Sequence, residues 1–267
     1  MRTTLQQQIR RAALALALTC AANAQAAFTI TTFTYPGSVA TRGWQINDML
    51  QVATTAELAS GTPAFAGAVY QFSSGTFTTL PPFAPGVVAS PVGINNAAVT
   101  TGAAPDEVTG EGPGFLFGAA YSTFNYPGAV FTSGRGVNLA GKVTGYWQAA
   151  DDSVGGFIYD SIAHTYTDIV IPGAQFMIPH GINAAGTVSG SVILSPGSAF
   201  AGAPGGQYGF IRAATGALTL YRVNGLPTRS RGINDSGRVA GWLTDAPGSS
   251  KGFVINAPSG GGYVNVA

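Results

Sequence analysis

Residues 181–190, Gly-Ile-Asn-Ala-Ala-Gly-Thr-Val-Ser-Gly, contain the pattern that decides the fold. The Gly-Ile-Asn part recurs at Asn95 and Asn234, as Gly-Val-Asn at Asn138, and in the degenerate form Gln-Ile-Asn at Asn47. Successive asparagines are 48, 43, 45 and 51 residues apart. Periods of roughly 20 to 50 residues are typical of repeat architectures, so the chain is predicted to contain five copies of one unit.

The Asn-x-x-Gly part of each copy predicts a β-hairpin turn. An Asn side chain can bond its own backbone two residues on, and Gly accepts the left-handed conformation that a short bulged turn requires. The predicted turn residues are Asn47, Asn95, Asn138, Asn183, Asn234, Gly141, Gly186 and Gly237. A ring of asparagines lining a central channel is the alternative interpretation, but the hairpin explains their recurrence more simply.

Each copy also contains four short strand candidates. Examples are the Gly-x-Val-x-Gly stretch at 186–190, the Gly-Phe-Ile-Tyr stretch at 156–159 and the Leu-Thr-Leu-Tyr stretch at 218–221. Four strands in about 45 residues are typical of a β-propeller blade. We therefore predict an all-β, propeller-like fold of about five four-stranded units, with an open β-solenoid as the alternative. The predicted units are residues 43–90, 91–133, 134–178, 179–229 and 230–267.

The start of the repeat region bears on ring closure. Residues 33–47 align without a gap on residues 124–138, so the repeats begin with the end of a unit. A strand at residues 28–34 is therefore expected to complete the last unit and to close the ring. The segment 262–266 is a competing candidate for the same place.

The N-terminus has the features of a secretory signal peptide. Arg2, Arg10 and Arg11 precede a short apolar run and the small-residue stretch that ends at Ala26. We predict a signal peptide at residues 1–26 and a single repeat domain at 27–267. The single cysteine, Cys20, would leave with the signal, so the protein is expected to be secreted, periplasmic or extracellular without a disulfide.

The composition limits the expected partners. Only 9% of the residues are charged, and without the signal peptide nine Lys and Arg remain against eleven Asp and Glu. Because a near-neutral surface lacks the basic cluster that phosphate backbones or anionic lipids require, we expect no nucleic-acid and no membrane partner. The protein is expected to be a monomer.

The succession of Pro-Gly-Ala, Gly-Ile-Asn, Gly-x-Val-x-Gly and Gly-Phe-Leu-aromatic segments resembles the HAF repeat of extracellular bacterial proteins. The resemblance covers nearly all of the chain after residue 26 and implies location and fold more than activity. The histidine that names this family is absent from every copy. The residues near its place are Ala66, Pro113, Gly155, Tyr208 and Lys251.

No set of catalytic residues can be assembled from the sequence. His164 and His180 are the only histidines, and without cysteines the usual zinc sites are excluded. His180 stands three residues before Asn183, where other copies have Arg135 or Arg231, which suggests a position set by the repeat. No phosphate-binding loop or serine-nucleophile motif occurs.

Acidic and aromatic residues supply the remaining candidates. The loop acids are interpreted as solvated charge, with a weak calcium site or a glycan-active carboxylate pair as alternatives. They are Asp106, Glu107, Glu111, Asp151 and Asp152. Asp48 and Asp235 directly follow a turn asparagine, which favours a role in the turn. The tryptophans are expected to pack in the core or, alternatively, to stack on a sugar; they are Trp44, Trp147 and Trp242.

These features together favour a non-catalytic binding or structural module without a cofactor. The expected partner is an extracellular ligand such as a surface polysaccharide. The alternative is a glycan-active hydrolase or lyase on the same scaffold, for which two facing carboxylates in one concave pocket would be required.

Overall fold

The structure, a computed structural model, describes residues 30–59, 64–106, 108–198, 200 and 202–266. The chain divides into two compact units, Met1–Phe33 and Thr34–Ala267. Of the first unit only residues 30–33 are described, and they form no helix or strand. The described part of the second unit is all β, with twenty strands. No helix long and apolar enough to span a membrane occurs in the described residues.

Nineteen of these strands form five antiparallel sheets of consecutive strands, which we call blades 1 to 5. Blades 1 and 2 comprise β1 (Ser38–Ile46), β2 (Gln51–Leu58), β3 (Phe65–Gln71) and β4 (Thr76–Thr79), then β5 (Ser90–Ile94), β6 (Thr100–Ala103), β7 (Gly114–Phe117) and β8 (Tyr121–Phe124). Blades 3 and 4 comprise β9 (Phe131–Val137), β10 (Lys142–Gln148), β11 (Val154–Asp160) and β12 (Thr165–Ile169), then β13 (Ala174–Ile182), β14 (Val188–Leu194), β15 (Gly206–Arg212) and β16 (Leu218–Val223). Blade 5 comprises β17 (Thr228–Ile233), β18 (Arg238–Ala246) and β19 (Ser249–Asn256), and β20 is Gly262–Val266.

The apolar core of the second unit lies between successive blades. The Gly-Phe segments form the third strand of blades 2 to 4, and Phe115, Phe157 and Phe210 are completely buried there. Between blades 2 and 3, for example, Phe124 packs in one cluster with Phe157 and Val143. Stacking buries faces that a single blade would expose to water. The predicted all-β, propeller-like fold of about five units is confirmed, in preference to an open solenoid.

The contact between blade 5 and blade 1 differs from those between the other blades. A Cβ atom on Gly93, Gly136 or Gly181 would lie 3.0–3.1 Å from a glycine Cα of the next blade, so only glycine allows this close approach. The equivalent Gly232 of blade 5 has no atom of another residue within 4 Å of that position. This side of blade 5 instead borders a cavity of about 450 Å³, whose lining includes Val254.

The C-terminal strand β20 does not complete blade 5. It pairs in parallel with β16 and becomes the fifth strand of blade 4. Its Tyr263 ring lies edge-on to Tyr208 at 5.5 Å between centroids, and its Asn265 Oδ1 accepts the N–H of Gly225. These contacts fix the strand on blade 4, and the described part of blade 5 has three strands.

The ends of the units differ from the positions predicted from the sequence. Residues 28 and 29 of the predicted closing strand lie outside the described residues, and residues 30–34 form no strand. The predicted units begin inside the first strand of each blade, because the Gly-Ile-Asn motif lies at the end of that strand. In the structure the blades begin at residues 38, 90, 131, 174 and 228.

Candidate functional site

Each blade has a β-bulge in its first strand at the same place in the repeat. The pairing between first and second strands skips one residue, three positions before the turn asparagine. A bulge leaves such a residue outside the ladder and re-aims its side chain. The skipped residues, which we call the bulge ring, are Trp44, Val92, Arg135, His180 and Arg231.

Four of the five bulge-ring residues line one cavity of about 160 Å³, which we call the basic pocket. Only Val92 is not among its lining residues. The wall is completed by Arg229 and Trp242 of blade 5 and by apolar side chains of blade 4, among them Val192. The repeat therefore brings together residues that lie up to 198 positions apart in the chain.

A buried histidine is among the residues that line the basic pocket. His180 is 8% exposed, and its Nδ1 lies 3.3 Å from a terminal guanidinium nitrogen of Arg231. Since guanidinium only donates, Nδ1 is the acceptor and His180 is neutral. Burial, and secondarily the positive charges of Arg231, Arg135 and Arg229, hold the pKa of His180 well below its ordinary value of 6.5.

The arginines of the basic pocket are held against aromatic rings. The guanidinium carbon of Arg231 lies 4.9 Å from the ring centroid of Trp242 and 5.8 Å from that of Trp44. Arg229 contacts the same Trp242 ring at 5.9 Å. Cation–π contacts within about 6 Å are attractive, so the rings stabilise and orient the guanidinium groups.

The five predicted turn asparagines lie beyond the bulges, at the ends of the first strands. In every copy Oδ1 accepts the backbone N–H of the residue four positions later, at 2.8–3.0 Å. The Nδ2 groups of Asn47, Asn95, Asn138 and Asn183 also donate to the carbonyl of the next asparagine along the chain, at 2.9, 3.1, 3.0 and 3.3 Å. The asparagines therefore join neighbouring blades as well as closing hairpins.

The glycines predicted for these turns have left-handed backbones. The φ angles of Gly141, Gly186 and Gly237 are +74°, +81° and +75°. Blades 1 and 2 have Leu50 and Ala98 at the same place, with φ of +57° and +59°. The turn is thus the same in all five copies, and two of them form it without glycine.

Two carboxylates line the larger cavity of about 450 Å³ at the asparagine end of the blades, those of Asp48 and Asp235. Asp48 accepts a bond from Asn96 Nδ2 at 2.7 Å and donates its own N–H to Asn96 Oδ1. Asp235 Oδ1 accepts the N–H of Ala184 at 2.7 Å. Both carboxylates therefore bond to a neighbouring blade.

Two of the remaining loop acids, Asp106 and Asp151, use their oxygens in local turns. Asp106 Oδ1 accepts the N–H groups of Thr109 and Val108, which hold its pKa below the ordinary value. Asp151 likewise accepts both the hydroxyl and the N–H of Ser153. Glu107 lies outside the described residues, and within them no group of three or more His, Cys, Asp or Glu side chains is placed to hold a metal ion.

Two further candidates lie away from both cavities. Trp147 of blade 3 stacks on Tyr126, which lies in the connection between β8 and β9, with ring centroids 4.8 Å apart and planes inclined by 11°. His164 occupies an exposed turn at φ +55°, and its Nδ1 bonds to the hydroxyl of Tyr159. Both positions are accounted for by local packing.

The basic cluster was not predicted from the sequence. The predicted surface without such a cluster is wrong at the basic pocket, which three arginines line. The position three residues before each asparagine was the available signal, because it varies between Trp, Val, Arg and His while the segment that follows it repeats as Gly-Ile-Asn or a close variant.

No protein-family model and no curated protein matches this chain. Among solved structures it is similar to the dipeptidyl peptidase 4 of Porphyromonas gingivalis, with a TM-score of 0.47 and 10% identity. That alignment covers 82% of this chain but only 32% of the peptidase, so the chain spans about a third of that protein's length. A streptogramin B lyase aligns with a TM-score of 0.43 and 9% identity, over 83% of this chain and 71% of the lyase.

Proposed function

We propose that this protein is a secreted, non-catalytic binding module that holds an extracellular polysaccharide in the basic pocket. Binding sites are typically concave, largely apolar and equipped with a few polar groups that set orientation. The basic pocket fits this description, because Val192 and Ile178 line it together with Trp242 and the arginines. Aromatic rings of this kind suit the apolar faces of sugars.

The observation that carries this proposal is the contrast between the bulge ring and its surroundings. The asparagines and glycines next to the bulges repeat because they hold the blades together. The bulge residues themselves differ from blade to blade and converge on one cavity. Sites built on rigid strands hold their side chains more precisely than sites on loops. A constant frame that presents varied side chains is the arrangement expected of a recognition site.

An enzyme acting on glycans is the second candidate. It is favoured by one observation, that Asp48 and Asp235 line the same cavity. Hydrolysis of a glycosidic bond needs one carboxyl group as acid and a second as base or nucleophile. The hydrogen bonds of both carboxylates to neighbouring blades instead account for them as structural links.

Secretion is part of the proposal and rests on the N-terminal segment 1–26, which lies outside the described residues. Expression of the full chain in a bacterial host, followed by mass spectrometry of the exported protein, tests it. We expect a mature N-terminus at residue 27. Retention of the intact N-terminus in the cytoplasm would contradict this part of the proposal.

Binding is tested on a glycan array that includes neutral and acidic polysaccharides. The purified protein is expected to be retained on a subset of glycans, and Trp242→Ala to reduce that retention. Phe65→Ala is the matched control, because Phe65 is an exposed aromatic residue of blade 1 outside the basic pocket. Retention on no glycan would overturn the proposal, and release of shortened sugars would favour the enzyme.

A further inference from the structure

The basic pocket concentrates positive charge without a counter-charge. Arg135, Arg229 and Arg231 line it, and the described lining residues include no Asp or Glu. The described residues form two ion pairs, Lys142–Asp160 and Lys251–Asp245, and neither includes these arginines. Guanidinium groups stay charged at neutral pH, so three positive charges face one cavity.

The guanidinium groups also have hydrogen-bonding capacity that the protein leaves unused. The Nε of Arg135 is buried and has no hydrogen-bond partner among the described residues. Among the described residues, the side chain of Arg231 has one hydrogen-bond partner, His180. A buried donor without an acceptor is unfavourable, so an oxygen-rich group in the cavity would supply what the fold does not.

The aromatic contacts of the three arginines use no N–H donor of the guanidinium groups. The guanidinium carbons of Arg229 and Arg231 lie 5.9 and 4.9 Å from the ring centroid of Trp242, and that of Arg135 lies 5.0 Å from the ring centroid of Tyr146. A guanidinium group in a cation–π contact keeps its N–H donors, which form the fork that binds a carboxylate or sulfate with two parallel bonds.

We propose that the basic pocket binds an anionic oxygen group, a carboxylate or a sulfate ester, on a sugar ring of the ligand. This inference rests on the proposed function and narrows it to acidic polysaccharides. Arg229 and Arg231 hold the anion from blade 5 and Arg135 holds it from blade 3. Neutral His180 accepts one N–H group of Arg231, which leaves the remaining N–H groups of that side chain to the ligand.

The inference is tested by calorimetric titration with two matched pairs of oligosaccharides. One pair is an oligogalacturonide and its uncharged methyl ester, and the other is a sulfated oligosaccharide and its desulfated form. An anion held by charge-assisted bonds is expected to bind at least about tenfold more tightly than its neutral counterpart. Tighter binding in the first pair identifies a carboxylate, and tighter binding in the second identifies a sulfate.

Variants of the pocket arginines then test whether these side chains hold the anionic group. Arg229→Gln and Arg231→Gln are expected to weaken binding of the acidic sugar at least about fivefold, with no effect on the neutral one. Both side chains are exposed at the pocket, so the fold should persist, which circular dichroism checks. Arg212→Gln, which removes an arginine of β15 outside both cavities, should bind like the unaltered protein.

The outcomes separate this inference from the proposed function. Equal binding of neutral and acidic sugars, or unchanged binding by both pocket variants, would overturn the anionic site and leave the binding module standing. Binding of no sugar from either pair by the folded protein would overturn both.

Discussion

The side chain of Asn138 is predicted to stabilise the fold through two hydrogen bonds that Asn138→Ala removes together. Its Oδ1 accepts the N–H of Lys142 at 3.0 Å, which closes the hairpin of blade 3. Its Nδ2 donates to the carbonyl of Asn183 at 3.0 Å, which joins blade 3 to blade 4. Asn138 is only 5% exposed, so water cannot readily replace either bond.

The expected loss follows from these two bonds. A typical intramolecular hydrogen bond contributes about 1 kcal/mol, and leaving its buried partner unsatisfied costs about 1–3 kcal/mol. Because the carbonyl of Asn183 also accepts the N–H of Gly186, it keeps one partner. We therefore expect Asn138→Ala to lower the free energy of unfolding by about 2–4 kcal/mol.

Asn234→Ala is the matched control. Asn234 occupies the same place in blade 5 and accepts the N–H of Arg238 at 2.8 Å, but it is exposed and its Nδ2 makes no bond to another blade in the described residues. Its substitution should cost only about 1 kcal/mol. Urea unfolding followed by tryptophan fluorescence measures the free energy of unfolding of both variants. Equal losses for the two variants would refute the idea that these asparagines join the blades.

Three further changes test other parts of the structure. Gly136→Ala should lower the free energy of unfolding by about 1–3 kcal/mol, since the new Cβ would press on the next blade. Gly232→Ala has open space at the same place, so its free energy of unfolding in the same urea assay should stay within about 0.5 kcal/mol of that of the unaltered protein. Below about pH 6.5, His180 is protonated in the unfolded chain but stays neutral in the folded protein. Because the unfolded state then binds more protons, the free energy of unfolding falls by up to about 1.4 kcal/mol for each unit by which the pH is lowered. Unfolding at pH 7 and pH 5 should show that His180→Gln removes this contribution and that His164→Asn, on an exposed turn, keeps it; an unchanged slope in His180→Gln would contradict the assignment. Ala98→Gly should raise the melting temperature, because the left-handed backbone at Ala98 costs an alanine about 1 kcal/mol of strain that glycine avoids. A lower melting temperature of this variant would count against strain at Ala98.

The sequence predicted the fold because the structural residues repeat. Phe157 and its equivalents recur after glycine since each blade needs one large side chain between itself and the next. Asn183 and Gly186 recur since every blade uses the same turn. Features required once per blade leave a periodic signal, and periodicity is visible in a single sequence.

The basic pocket could not be predicted in the same way. Arg135 and Arg231 are more than 90 residues apart, and their meeting depends on how the blades are arranged around the axis. The bulges that re-aim them change the pairing by a single residue, which hydrophobic patterning does not reveal. The second role of Asn138, the bond to the neighbouring blade, was hidden for the same reason.

The position of β20 also depended on long-range contacts. The apolar, aromatic segment Gly262–Val266 was recognised as a strand candidate, but its pattern does not state which edge it joins. Tyr263 packs on Tyr208 of blade 4, and that contact accompanies the parallel pairing with β16. Strand identity is local, whereas strand partners are decided by tertiary packing.

The central claim is that the bulge ring presents one binding site for an acidic sugar. A crystal structure of the protein with the tighter-binding acidic oligosaccharide tests it most directly. We predict that the anionic group lies about 3 Å from guanidinium nitrogens of Arg135, Arg229 or Arg231, with a sugar ring near Trp242. A sugar bound instead at the cavity of Asp48 and Asp235, or with its anion turned away from the arginines, would contradict the claim.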